Sequence, residues 1–185
     1  MFRLTFAESR KATAKVANNL RPNRRQFFGL FSGVALSAYA KLLRQEGANQ
    51  MTASGGFFIQ SRFGSKGNFE LVAPRFRGQL LVLTRDNDKS TLLWSQDGIF
   101  GTGDFTGASL VQSNFGSGPG NFEVVAIQGN QLHHFWRADT LPFAWSGSTT
   151  IGSGVTGGPS MIQGTFGSRG NLELVAPLAT GGLGH

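Results

Sequence analysis

The stretch QSRFGSKGNFELVAP, Gln60 to Pro74, returns as QSNFGSGPGNFEVVA from Gln112 to Ala126 and as QGTFGSRGNLELVAP from Gln163 to Pro177. The three leading glutamines are 52 and 51 residues apart. A fixed period of this length, filled with short apolar runs and glycine turns, marks a repeat architecture in which each unit is one small antiparallel sheet.

Four apolar segments fall in each full period, separated by Gly, Asn, Asp or Pro, as a four-stranded unit requires. In the middle copy the strands are expected at 109–115, 121–127, 131–137 and around 144–152. Within the second of these, Phe122, Val124 and Ala126 point one way while Glu123, Val125 and Ile127 point the other. A solvated back face would not carry Val125 and Ile127, so both faces are covered, as when one sheet stacks between two others. Sheets set round an axis bury each other's faces in this way. The expected fold is therefore all-β: blades of a β-propeller, each a four-stranded antiparallel sheet. The blades are expected over 56–107, 108–158 and 159–185, about 2.5 in all, after a helical leader over 1–40 and a polar linker over 41–55. Leu183 and His185 align with Leu132 and His134, so the third copy stops inside its third strand. Propellers usually need about four to eight blades to close. A truncated fragment, or a ring completed by self-association of several chains, is the expected consequence.

With 27 Gly, 17 Phe and one Tyr in 185 residues, the composition is that of turn-dense β structure with phenylalanine-filled layers. The absence of cysteine removes disulfides, thiolate metal sites and cysteine nucleophiles. A formal charge of +7 raises nucleic acid as a partner, but the placement of the charge argues against it. Arg3, Arg10, Lys11, Lys15, Arg21, Arg24 and Arg25 stand against Glu8 in residues 1–40, a net +6, which leaves ten cations and nine anions for the rest. The repeat region lacks the clustered Lys and Arg needed to follow a phosphate backbone, and no nucleic-acid partner is expected.

Ahead of the repeats, NRRQFFGL (Asn23 to Leu30) precedes the apolar FSGVALSAYA (Phe31 to Ala40). This resembles a twin-arginine export signal. Arg24 and Arg25 are followed by a variable Gln26 and the apolar pair Phe27 and Phe28, with Asn23 where Ser or Thr is usual. Ala38 and Ala40 then supply a small-x-small cleavage pattern ahead of Lys41. The apolar run is too short to span a bilayer, which takes about 20 helical residues. The resemblance implies an exported protein, periplasmic or extracellular, with no stable membrane span. The competing reading is an N-terminal helix that stays attached and packs Phe27, Phe28, Leu30 and Phe31 on the domain.

The copies over 56–185 also resemble a unit reading Q-S-x-F-G-x-x-G-N-F-E-L-V, then G-x-L-x-H-x-W-R-D-N-D, then a tryptophan, as in tandem-repeat propellers of bacterial surface and lectin-like proteins. The first copy has Arg85, Asp86, Asn87 and Asp88 but Thr84 where the tryptophan belongs; the second has His134, Trp136 and Arg137 but Ala138 in place of the acidic residue. Such propellers bind sugars between adjacent blades, so the resemblance implies a carbohydrate or glycoconjugate partner. The candidate ligand residues are Trp136, Arg137 and His134, with Trp94, Trp145, Arg85, Asp86, Asp88 and Asp139 from equivalent or adjacent turns. Pyranose C–H faces stack on tryptophan, and planar polar side chains pair with hydroxyls. The plainer reading packs the tryptophans between sheets and makes 85–88 a solvated turn. The recurring Gln60, Gln112 and Gln163, and Glu70, Glu123 and Glu173, read as architectural, the glutamates holding backbone groups or a neighbouring blade's Arg or Lys.

The glycine loops are similar to those of integrin-type propellers, which hold calcium, but Ser65, Lys66, Gly67 and Asn68 replace the alternating carboxylates that calcium needs. His133 and His134 point to opposite faces of a strand, so no metal site and no cofactor is expected. For catalysis, the chain has three histidines and no G-x-S-x-G elbow, and Asp97, Asp104 and Asp139, read as turn residues, have no spacing that pairs two carboxylates. The expected function is a secreted, non-catalytic, carbohydrate-binding propeller segment. The alternatives are a structural or protein-interaction propeller with no small-molecule site, and an accessory module of a longer exported enzyme.

Overall fold

The period-2 alternation and the glycine turns resolve into strands throughout the repeat region. A computed structural model of the chain describes residues 56–75 and 78–185. The leader and linker expected over 1–55, with Arg24, Arg25, Ala38 and Ala40, lie outside the described residues. The strands are β1 (Phe57–Gln60), β2 (Phe69–Arg75), β3 (Gln79–Arg85), β4 (Trp94–Phe100), β5 (Phe105–Gln112), β6 (Phe122–Gln128), β7 (Gln131–Arg137), β8 (Thr149–Ser153), β9 (Ser160–Gln163), β10 (Leu172–Pro177) and β11 (Leu183–Gly184). They form three antiparallel meanders: β1-β2-β3-β4, β5-β6-β7-β8 and β9-β10-β11. The described chain is thus all-β and built from four-stranded antiparallel sheets, the last one represented by three strands. No helix among the described residues is long and apolar enough to cross a membrane.

β6 shows why the sheets stack. Phe122, Val124 and Ala126 pack with Val72, Leu80, Val82 and Phe100 of the first sheet. On the other face Val125 and Ile127 pack with Val155, Met161 and Ala176 beside the third sheet. The second sheet is therefore covered on both faces, as the apolar residues at 125 and 127 require. Burying a side chain such as Phe122 or Val124 contributes about 1.5–3 kcal/mol each.

Two strand boundaries differ from the sequence expectation. β5 begins at Phe105 rather than Ser109, with a bulge between Phe105 and Gly107 where it pairs with Gln128 and Ile127. Residues 101–104 thus link β4 of the first sheet to β5 of the second. At the other edge β8 begins at Thr149, and Trp145 meets Arg137 only as an isolated bridge. There the Ser146 hydroxyl, not a ladder carbonyl, accepts the Trp136 N–H at 2.9 Å.

The GN turn of each copy also has a physical origin. Gly67, Gly120 and Gly170 all have positive φ, at 69°, 106° and 76°. A Cβ would stand 2.6 Å from the Ser61 carbonyl, 1.8 Å from that of Ser113 and 2.0 Å from that of Gly164 respectively. Glycine is needed there on both counts, conformation and close backbone approach.

Candidate functional site

The most densely connected polar group lies where the first sheet meets the second. Arg137, at the end of β7, is buried, and its Nη1 is ion-paired with Oδ2 of Asp97 in β4. Its guanidinium lies over Phe122 at 4.3 Å and near Phe63, Phe143 and Trp145 at 5.6, 5.5 and 5.9 Å. Trp145 stacks flat on Phe100 of the first sheet, centroids 3.7 Å apart and planes within 2°. Aromatic faces and one carboxylate together satisfy a desolvated cation. Arg137 Nε has no hydrogen-bond partner among the described residues, and the rings enclose it.

Beside this clasp, Glu70 is buried in β2, accepting from Ser61 Oγ at 3.0 Å and Thr84 Oγ1 at 2.5 Å. Burial raises its pKa above the ordinary carboxylate value, while the Thr84 and Ser61 hydroxyls and the charge of Arg137 pull it back. Glu123 repeats the arrangement, accepting from Ser113 Oγ at 2.9 Å and contacting His134 Nε2 at 2.9 Å. Glu173 contacts His185 Nε2 at 2.8 Å. The recurrent glutamates thus bind side chains of their own sheet, not the backbone or a neighbouring unit's Arg or Lys. A carboxylate in mid-strand reaches its cross-strand neighbours first.

The recurrent glutamines do link sheet to sheet. Gln112 Oε1 accepts the Arg62 N–H at 2.5 Å, and Gln163 Oε1 accepts the Asn114 N–H at 2.8 Å. Arg62 reinforces the first link, donating Nη2 to the Ser113 carbonyl at 2.5 Å and Nε to the Pro119 carbonyl at 2.8 Å.

The candidate ligand residues separate into three places. Arg137 and Trp145 belong to the closed first junction. Trp136 lies on the opposite face of β7, with His134, so no single pocket holds both Trp136 and Arg137. Trp136 is 44% exposed, and its ring pairs with no other ring among the described residues. Arg85 and Trp94 form the third group on the first sheet, where the Arg85 guanidinium lies 4.2 Å from the Phe69 ring and 6.0 Å from that of Trp94. Partial burial lowers the Arg85 pKa. Register makes this group the equivalent of the clasp: Phe69, Arg85 and Trp94 pair across β2–β3–β4 as Phe122, Arg137 and Trp145 do in the second sheet.

The remaining acidic candidates hold turns. Asp88 accepts from Ser65 N at 2.6 Å, Ser65 Oγ at 2.7 Å and Lys66 N at 3.1 Å. Asp139 accepts from the N–H groups of Gly118 at 2.7 Å, Gly120 at 3.0 Å and Ser117 at 3.4 Å. Both carboxyls are held below the ordinary carboxylate value, Asp88 chiefly by the Ser65 hydroxyl and Asp139 chiefly by the Gly118 N–H. Asp86 accepts from the Asp88 N–H and faces Lys89 across 3.3 Å. His133 points toward the first sheet, its Nδ1 2.9 Å from Ser148 Oγ.

Two features escaped the sequence. Asp97 was read as a turn residue; it lies within β4, and its partner Arg137 is 40 residues away in the next repeat. A cleft of about 360 Å³ also opens between the second and third sheets, floored by Leu132, Val155 and Leu174, with Ile151 on its wall and the Glu173–His185 pair at one end. None of the candidate ligand residues lines it. Among the described residues no three His, Cys, Asp or Glu side chains gather as metal ligands. No family model matches the sequence, and no curated protein matches it.

Proposed function

We propose that this chain is a non-catalytic, exported binding module whose stacked sheets are blades of a β-propeller, and that its ligand is a carbohydrate held against Trp136. The observation that carries the ligand reading is the exposure of Trp136, 44% of the residue, beside the half-buried His134 that contacts the buried Glu123. An indole face left free of other rings suits a pyranose C–H face, and polar groups nearby can meet its hydroxyls. Glu123 lies directly opposite Trp136 across β6 and β7 and is held by Ser113 and His134, which anchors the strand under the indole. The twin-arginine likeness of residues 23–40 supports export. Screening the full chain on a glycan array tests the ligand reading: binding to a related set of saccharides supports it, and binding to none removes it.

The second reading, a structural or protein-interaction propeller, draws on the first junction. There Asp97 pairs with Arg137 and Phe100 stacks on Trp145, so the groups that would meet a sugar at this junction meet each other instead. The two readings divide on Trp136 alone, since both accept the clasp as architecture.

A further inference from the structure

Arg85 has the surroundings of Arg137 without its carboxylate. In the second sheet Arg137 lies over Phe122, bridges to Trp145 and is answered by Asp97, which arrives from the sheet before. In the first sheet the same three places hold Phe69, Arg85 and Trp94, paired across β2–β3–β4. The Arg85 guanidinium lies over Phe69 at 4.2 Å, and its Nε donates to Asn87 Oδ1 at 2.9 Å. Asn87 is itself buried and donates to the Gly67 carbonyl, so the direction of the guanidinium is set by the fold.

No acid among the described residues pairs with Arg85. Of the carboxylates nearest in the turn, Asp86 faces Lys89, and Asp88 accepts from the Ser65 and Lys66 N–H groups. The buried polar atoms left without a partner among the described residues are His133 Nε2 and Arg137 Nε, so the two Nη atoms of Arg85, which carry no hydrogen bond there, face solvent. Beside them is a wall of rings. Phe58, 42% exposed, stands 5.1 Å from Phe69 and 6.0 Å from Trp94 between ring centroids, and Phe69, Arg85 and Trp94 are half-buried. Further along the same face Leu71, Ala73, Leu81 and Leu83 are buried, so the reachable part is this rim, which suits a small ligand rather than another sheet.

We infer that Arg85, with Phe58, Phe69 and Trp94, forms a second ligand site that binds an acidic saccharide by its uronate carboxylate, in the role that Asp97 plays toward Arg137. A guanidinium with free Nη–H groups takes a carboxylate through paired hydrogen bonds. One cation suits one carboxylate; a phosphate dianion would bring a second negative charge beside Asp86 and Asp88 with nothing to answer it. The exposed ring beside the cation suits a pyranose C–H face. A uronic acid carries the carboxylate and that face on one rigid ring, so both contacts form with little loss of conformational freedom. The site lies on the face of the first sheet turned away from the second and shares no residue with the Trp136 platform. Its saccharide half rests on the carbohydrate reading proposed above; its carboxylate half rests on Arg85 alone.

The test is a calorimetric titration of the full chain at low salt with trigalacturonate, with its methyl ester, which is the same sugar with every carboxylate masked, and with tricarballylate, which has carboxylates and no sugar. The wild type is expected to bind trigalacturonate roughly tenfold or more tighter than either control, and Arg85→Gln, shown by circular dichroism to be folded, to lose roughly tenfold or more. In the wild type itself, trigalacturonate is expected to shield Arg85 from phenylglyoxal, read by peptide mass spectrometry, a result that does not depend on how the variant folds. Equal binding of acid and ester overturns the carboxylate half, and equal binding of trigalacturonate and tricarballylate overturns the saccharide half. No binding of trigalacturonate, or an Arg85 that it leaves unshielded, overturns the inference as a whole. The glycan-array screen bears on Trp136, so its failure is read apart from the contrast between acid and ester.

Discussion

Arg137 reaches back across forty residues to pair with Asp97, and this pair fastens the second sheet of the repeat to the first. Trp136, its neighbour in β7, faces the other way and is open to solvent. One strand therefore contributes to a structural clasp on one face and presents an exposed indole, the proposed ligand platform, on the other.

The clasp should be costly to break in an unequal way. Asp97 is partly exposed, so Asp97→Ala is expected to destabilise the chain by about 1–2 kcal/mol, since Arg137 then keeps its aromatic neighbours but loses its acceptor. Arg137→Ala removes a buried side chain packed on Phe122 and Phe63 as well as the charge, and should cost about 2–4 kcal/mol. Urea denaturation of the two variants gives the order; equal costs would contradict the packing role of Arg137.

Glu70 gives a pH dependence of opposite sign to an ordinary paired carboxylate. Its pKa in the folded chain is raised, chiefly by burial, so the folded state holds the Glu70 proton more tightly than the unfolded state does. Its contribution is most favourable below the unfolded value of about 4.3 and is lost as pH rises through the folded pKa. Glu70→Gln is therefore expected to raise Tm at pH 7 and to change it little at pH 4. A lower Tm at pH 7 would show that the Ser61 and Thr84 bonds outweigh desolvation.

Asp139 and Asp88 act in the other direction. Their folded pKa values are depressed, so the stability they confer is present above about pH 3.9, the unfolded aspartate value, and is lost as pH falls through the folded values. Asp139→Ala should lower Tm at neutral pH and make the variant less sensitive to acid than the wild type. The loop over 116–120 should lose amide exchange protection at Gly118 and Gly120, whose N–H groups Asp139 accepts.

Much of the stacking was legible from β6 alone, because Val125 and Ile127 stand where a half-exposed sheet would carry polar residues. The strand limits were less so. Phe105 belongs to β5 through a bulge, which breaks the alternation that sequence reading follows, and ahead of β8 the Ser146 hydroxyl takes the Trp136 N–H in place of a ladder bond. The candidate site was legible as residue types but not as a place. Trp136 and Arg137 are adjacent in sequence, and strand geometry puts adjacent residues on opposite faces. Asp97 had no signal of its own, since Ser148 stands at the corresponding place in the next repeat and the periodicity does not mark the position.

Glycine substitutions separate geometry from space. Gly120→Ala is expected to cost about 2 kcal/mol or more, because its φ is 106° and a Cβ would lie 1.8 Å from the Ser113 carbonyl. Gly129 also has positive φ, at 60°, but a Cβ there meets nothing within 4 Å. Gly129→Asn should therefore cost less than about 1 kcal/mol, asparagine tolerating that conformation. Thermal denaturation of the two variants is the check.

The most direct measurement is a calorimetric titration of the strongest glycan-array ligand into the full wild-type chain and into Trp136→Ala. The substitution should cost about 1 kcal/mol of stability or less, given the exposure of the ring, so both proteins are folded during the titration. The account predicts saturable binding by the wild type and at least a tenfold loss in the variant. Equal affinity in the two proteins, or no ligand for either, would contradict it and leave the stacked sheets as a structural module.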